Sequence, residues 1–439
     1  MHEICLERGY GVNKILDKCL ELVDPKTGLI KKLLVTLEPP GEVKLFRAVA
    51  IAGDLTRYNN SEWWFELTSG IGLTREDAIM SAIGEFIERY CACMYDERRI
   101  IRATYNQMIK KGYNAVDPSS FALFSETQYN RKSFPFKRFT KETPVSWVEG
   151  KSLITNERLW VPACFVWMVP FPERIIFPNS NGLAASPSIK DAILHALCEV
   201  IERDALMITW FNKLPLPRIL VEEVSKDLYQ LINSRCINCG LEYHFIDITL
   251  DVKIPSVMAI SIDRNDNTGV LVGASSSVNI EEAILKSFFE GCFQARPTVK
   301  KLSKGKILTK KEGLKHLLLY HALPYANVQA IQHFDFLLKS PAVKPDYPHV
   351  TRENSLNYAL NKVKEAGMDV IMVEITTPDI ADIGFHVVRV IIPGTISVNA
   401  GKDKRFLGGE RLYTVPQLLG YKDKRVHENE LNPLPHPFL

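Results

Sequence analysis

The sequence predicts an α+β fold of repeated helix and strand units, with mixed or antiparallel sheets flanked by helices. A capped helix with paired acids occurs twice and, weakened, a third time; a helix–strand–loop–strand unit occurs twice; no clean linker separates the copies. Short returns between strands favour antiparallel pairing, and copies that interlock along the chain imply one large unit with subdomains.

The elements support this in order. Residues 15–22 alternate helically, DPKTG at 24–28 is turn chemistry, and residues 45–51 read as a strand. Residues 1–60 are taken as an N-terminal segment and 61–439 as the main domain. Residues 74–89 (TREDAIMSAIGEFIER) align without a gap on 188–203 (SIKDAILHALCEVIER), pairing Asp77 with Asp191, Glu85 with Glu199, Glu88 with Glu202 and Arg89 with Arg203. Residues 279–294 (NIEEAILKSFFEGCFQ) keep the start and one acid, Glu290, with Phe293 and Gln294 in place of Glu-Arg. Each copy opens on Thr, Ser or Asn with an acid three residues later, the capping-box pattern of a helix start. On the second helix His195, Glu199 and Glu202 fall on one stripe beside Ala192, Ile193, Leu197, Val200 and Ile201, which places them near a core.

Between the first two acidic helices, residues 105–141 are polar and aromatic with little periodicity, and 145–149 and 159–169 read as strands. Residues 240–251 (GLEYHFIDITLD) align on 367–379 (GMDVIMVEITTPD), each after an amphipathic helix and before a strand, 256–263 or 386–392. The most basic stretch, 300–311, reads as a solvated loop.

Composition narrows the class. The 439 residues are 46% hydrophobic and 24% charged, an ordinary globular chain large enough for more than one core. A net charge of +3, with no Lys/Arg run interleaved with aromatics, argues against nucleic acid. Nine scattered cysteines fit reduced thiols better than a disulfide framework, and the C-x-x-C of Cys236 and Cys239 lacks the second pair of a zinc site. With no signal-peptide pattern and no apolar run of spanning length, a cytoplasmic location without a membrane segment is expected.

The acids carry the chemistry. Glu85, Glu88, Glu199, Glu202 and Glu290 brought together would repel one another unless a cation lay between them. All-oxygen ligands suit a hard ion such as Mg²⁺, which takes a few carboxylates and completes its shell with water and phosphate. Arg89, Arg203 and Arg296 suit phosphate oxygens, which the planar guanidinium grips with two hydrogen bonds. Mg²⁺ with a nucleotide follows, yet no G-x-x-x-x-G-K-[ST] loop or H-R-D-x-x-x-x-N loop is present, so any ATP site is non-Walker. The bland alternative is an old duplication whose acids are solvated or paired locally.

Ordered motifs then point to a family. SxxxExxER at 81–89, SNGLAA with ExxER at 180–203, ExxxQxR at 290–296 and LGGERL at 407–412 resemble the YcaO superfamily. The tail, NPLPHPFL at 432–439, resembles the PxPxP ending of the azoline-forming branch, the free-standing cyclodehydratase D proteins. One departure is Ser186-Pro187-Ser188 where the family commonly has Gly-Asn-Thr; the Asn contact is not carried over, while Ser188 keeps the cap.

The resemblance implies a YcaO-like fold around a non-Walker ATP site, with ATP held by Ser81, Arg89, Ser180, Asn181, Arg203, Gln294 and Arg296. It implies Mg²⁺, two or more ions, on the five glutamates, and an N-terminal segment serving partner docking and part of the nucleotide pocket. It implies a tail, Pro433, Pro435, His436, Pro437 and Leu439, that reaches the active site and positions the peptide or assists proton transfer, stiffened as polyproline II. The implied activity is Mg- and ATP-dependent cyclodehydration of Cys, and also Ser or Thr, in a ribosomally made precursor peptide. The expected partners are that peptide, an E1-like/ThiF-like leader-binding protein and a flavin-dependent dehydrogenase, with room for a homodimer in the complex. The alternatives are thioamide or amidine formation, against which the tail argues, and a nucleotide-binding scaffold without peptide chemistry.

Overall fold

The structure is a computed structural model, which describes residues 14–38, 41–55, 65–237, 239–264, 269–293, 320–321, 323–399, 401 and 404–438. Gln294, Arg296, Leu439 and the basic stretch 300–311 lie outside the described residues.

In chain order the strands are β1 Ile30–Leu37, β2 Phe46–Ala52, β3 Leu67–Gly72, β4 Ile101–Ala103, β5 Val145–Ser152, β6 Arg158–Pro162, β7 Leu183–Ser186, β8 Arg218–Ile219, β9 Leu241–Asp247, β10 Ser256–Asp263, β11 Gly269–Ser276, β12 Ala342–Val343, β13 Ile371–Glu374 and β14 His386–Ile391. They form three sheets, β1-β2-β3, β4-β5-β13-β14-β7 with β6 beside β5, and β11-β10-β9-β8-β12. Pairing is antiparallel except between β8 and β12. β13 and β14 come from the last quarter of the sequence yet lie between β5 and β7. The two helix–strand–loop–strand copies therefore end as β9–β10 and β13–β14, adjacent antiparallel pairs in different sheets.

Three helices organise the site: α1 Arg75–Cys93, α2 Ile189–Asn212 and α3 Ile280–Phe293. Each starts where the sequence places it. Thr74 and Asp77 form a full capping box, Ser188 accepts from the Asp191 N–H, and Asn279 Oδ1 accepts from the Glu281 N–H. α2 is buried over most of its length, from Ala192 to Asn212. Glycine allows the other two helices to lie hard on their strands. A Cβ at Gly70 of β3 would stand 2.2 Å from the Ala82 N of α1, and one at Gly273 of β11 would stand 2.1 Å from the Gly291 N of α3.

Two expectations differ from the structure, and one strand lies outside the sequence reading. The strand expected over 159–169 stops at Pro162, whose missing N–H ends the ladder, and a 3-10 turn follows at Ala163–Phe165. His195 is exposed, because the stripe it shares with Glu199 runs out of the protein one turn earlier. β1 has no counterpart in the sequence reading, because its burial alternates poorly. The insert turns its aromatics inward: Phe124 meets Phe134 and Phe136 at 4.8 Å and Phe406 at 5.2 Å between ring centres.

Candidate active site

Each acidic helix follows a strand whose backbone N–H groups face its acids. The Ser69 N–H of β3 donates to Glu85 Oε2 at 2.9 Å. The Gly182 N–H, just before β7, faces Glu199, and the Ala274 N–H of β11 faces Glu290. Equivalent acids of three copies thus each face backbone of their own unit. Glu202 crosses units instead, toward the Ser276 N–H of β11.

The acids share one space, in which Glu202 is buried and the other four are half-buried. Glu88 faces Glu199 and Glu85, and Glu202 faces Glu290 and Glu199. Burial, sharpened by these like charges, lifts the Glu88 carboxyl to about 8 and Glu290 to about 7, and holds Glu199 and Glu202 above the usual carboxylate range. Guanidiniums interleave. Arg89 lies 3.5 Å from Glu85 and 3.8 Å from Glu88, and Arg203 lies 3.6 Å from Glu199 and 3.2 Å from Glu202.

Sequence reasoning missed a third guanidinium, Arg389 on β14. It is buried, donates from Nη1 to the Asn179 carbonyl at 3.0 Å and from Nη2 to Asn179 Oδ1 at 3.1 Å, and faces Glu199 and Glu88. Burial pulls it down to about 10. Its signal was a lone Arg in an otherwise apolar strand, HVVRVI.

The other site residues fall as follows. Ser81 lies on α1 one turn before Glu85 and is exposed; Ser180 and Asn181 are half-buried in the turn before β7, where the Asn181 N–H donates to Asn179 Oδ1 at 3.1 Å. Asn181 and Arg389 line one cleft, walled by Phe121, Phe165, Ile396 and Phe406. The tail is docked. The Asn432 N–H donates to the Phe211 carbonyl at 2.7 Å, Trp210 Nε1 donates to the Leu434 carbonyl at 3.4 Å, and the Tyr325 hydroxyl donates to the Pro435 carbonyl. Pro433 stays exposed, Pro435 is half-buried, and His436, Pro437 and Phe438 are buried. Phe438 bridges to Val272 of β11, and its ring centre lies 4.1 Å from the Arg203 guanidinium, a cation–π contact at the edge of the acid cluster.

The donor set fits a hard cation. Glu202 Oε1 is buried without a hydrogen bond, because Arg203 Nε stands close but misaligned and is itself unbonded. The lifted carboxyls mark negative charge that protein groups alone do not balance. Among the described residues no three acids gather as a ready set of metal ligands; each is drawn toward an arginine or a backbone N–H. The LGGERL stretch serves another end: Arg411 forks onto Asp204 and Asp251, at 2.6 and 2.7 Å, and braces α2 from behind.

Comparison with known proteins gives the class. The profile of the family described as YcaO cyclodehydratase, ATP- and Mg²⁺-binding, matches residues 69–396, and the chain belongs to that family. A heterocyclase solved with substrate and cofactor is similar over all of this chain, with TM-score 0.77 and 22% identity; the chain spans 59% of that heterocyclase's length. The YcaO protein of Methanopyrus kandleri, solved with AMPPCP and Mg²⁺, is similar over 84% of this chain and 86% of its own, with TM-score 0.59 and 20% identity. An uncharacterised protein of Methanothermobacter thermautotrophicus is 26% identical over 337 residues, 74% of this chain and 80% of its own.

Proposed function

We propose that the chain is an ATP- and Mg²⁺-dependent peptide cyclodehydratase that forms thiazolines from Cys, and oxazolines from Ser or Thr, in a ribosomally made precursor peptide. The observation that carries this is the meeting of acids from three helices with buried arginines, at a point reached by the C-terminal tail. In the reaction the Cys thiol gives up its proton to a base and adds to the preceding backbone carbonyl, whose oxygen takes the γ-phosphoryl group as the bond to ADP breaks. The carbon–oxygen bond then breaks, phosphate leaves with the former amide oxygen, and loss of the amide proton completes the C=N bond.

Glu85, Glu88, Glu199, Glu202 and Glu290 are the residues that would hold Mg²⁺, which neutralises charge on the triphosphate. Arg89, Arg203 and Arg296, with Ser81, Ser180, Asn181 and Gln294, would bind the nucleotide. Arg389 orients the Asn179–Asn181 turn toward it. Residues 433–439 would position the peptide, with His436 or the terminal carboxylate next to the reacting amide. Delivery of the peptide falls to an E1-like/ThiF-like partner, and oxidation of the rings to a flavin-dependent dehydrogenase.

The test is mass spectrometry of a Cys-bearing precursor incubated with Mg-ATP and the partner, read as loss of one water per ring. Glu199→Gln and Glu202→Gln should abolish peptide-dependent ATP consumption and ring formation while the protein stays folded. Wild-type turnover in both variants would remove the acid cluster from the mechanism. Peptide-independent binding without turnover would favour the scaffold.

A further inference from the structure

His436 lies face to face with His321. The ring centres are 3.8 Å apart, the planes are 8° from parallel, and each residue is 1% exposed. His436 Nε2 donates to the Asn399 carbonyl at 2.8 Å, and the Gly401 N–H donates to His321 Nε2 at 2.8 Å. His321 therefore carries its single proton on Nδ1, and His436 carries its own on Nε2. Neither Nδ1 makes a hydrogen bond, although the carbonyls of His436 and Phe438 lie nearby. Two buried imidazoles in van der Waals contact tolerate no added charge.

We propose that His321 is the positioning residue for the C-terminal tail: its neutral ring is a buried platform on which His436 stacks, fixing where Pro437 and Phe438 lie beside the acid cluster. This rests on the reading of the tail as part of the ring-forming site. The Phe438 bridge to Val272 of β11 shares this task, and the other contacts along residues 433–438 act less directly. The three prolines donate no N–H, the Tyr325 and Trp210 bonds hold the strap farther back, and Phe438 rests on Arg203, itself a group the nucleotide would engage.

The charged and titratable groups around the pair favour neutrality. Arg203 faces His436, and the edge of Tyr320 meets His321 at 5.7 Å. Burial holds His321 down to about 4 and His436 well below its usual value. A histidine whose docked value is depressed keeps its docked form fully above its free value and loses it as pH falls. Docking is therefore complete above about pH 6.5 and weakens about tenfold per pH unit below that for each ring that gains water on release.

The test uses the full-length protein with two variants. Carboxypeptidase release of Leu439 and Phe438 near neutral pH should be slow in wild type and about tenfold faster in His321→Ala, as loss of one ring contact implies. His321→Phe keeps the face without the charge, and should restore slow release. In ¹⁵N-histidine spectra His436 should stay neutral well below its ordinary titration range in wild type and titrate near its ordinary value in His321→Ala. Equal release from wild type and His321→Ala, or an ordinary His436 titration in wild type, overturns the proposal, as does His321→Phe behaving like His321→Ala. Mg-ATP binding unchanged in His321→Ala shows that the variant is folded. None of these readouts involves peptide chemistry. If they hold while His321→Ala still forms rings at the wild-type rate, the platform stands and the catalytic reading of the tail fails.

Discussion

Glu88→Gln separates the cost of the acid cluster from its use. The Glu88 carboxyl is lifted from 4.5 to about 8 by burial first, with Glu199 and Glu85 adding to it and Arg89 opposing. A raised carboxyl favours the folded chain below its unfolded value, where both states are protonated. The advantage is lost as pH rises through the folded value, because the unfolded chain releases the proton readily and the folded chain cannot. At 1.36 kcal/mol per pH unit, the lift sets a ceiling of about 5 kcal/mol on stability lost between weakly acid and weakly alkaline solution. Rearrangement and water entry reduce this to about 2 kcal/mol in practice. Glutamine keeps the shape and removes the titration. Urea unfolding of the nucleotide-free protein between about pH 6 and pH 8.5 should show wild type losing stability and Glu88→Gln losing much less, so that the variant is the more stable at the alkaline end. Wild-type stability that is flat or rising over that range would refute the reasoning, because Glu88 would then be paired and not strained.

Three further outcomes follow from the packing. Gly273→Ala puts a methyl group 2.1 Å from the Gly291 N and 2.4 Å from the Ser287 carbonyl, so α3 must lift and Glu290 with it; calorimetry should find Mg-ATP binding weakened by at least about tenfold together with a lower Tm. Arg411→Ala leaves Asp204 and Asp251 buried without their cation and should cost about 3–5 kcal/mol in denaturant unfolding, with nucleotide affinity of the folded fraction unchanged. Removing the last two residues takes Phe438 from Arg203 and withdraws the terminus by about 6–7 Å, so ring formation should fall by orders of magnitude while nucleotide affinity changes little; equal ring formation by the trimmed protein would demote the tail and reopen thioamide formation.

What the sequence disclosed was what repeats. Glu85, Glu199 and Glu290 could be aligned because helix positions are spaced regularly and their caps are marked by side chains. The backbone that faces them could not, because Ser69, Gly182 and Ala274 contribute only N–H groups, which any residue carries. Arg389 and Asn179 are 210 apart in sequence and meet only when β14 settles beside β7. The LGGERL stretch was legible as a motif but not as a brace, since Asp204 and Asp251 have no sequence relation to it. His195 fell on the right stripe by spacing yet ended exposed, because periodicity gives direction around a helix and not depth along it.

The unequal copies make chemical sense together. Two copies supply a pair of acids each and the third supplies Glu290, so five carboxylates face Arg89, Arg203 and Arg389 in one space. By formal charge the acids outnumber the arginines, and the protein bears this partly by burial that raises the Glu88, Glu199, Glu202 and Glu290 carboxyls and partly by turning arginines inward. On the proposed reading, divalent cations would take over that second task, and Arg89 and Arg203 would be released toward phosphate oxygens within the reach of one rotamer change. Arg389 has no such freedom, because Asn179 holds both of its Nη atoms. On the same reading it would stay with the acids in either state, the fixed point against which the other two arginines would exchange partners.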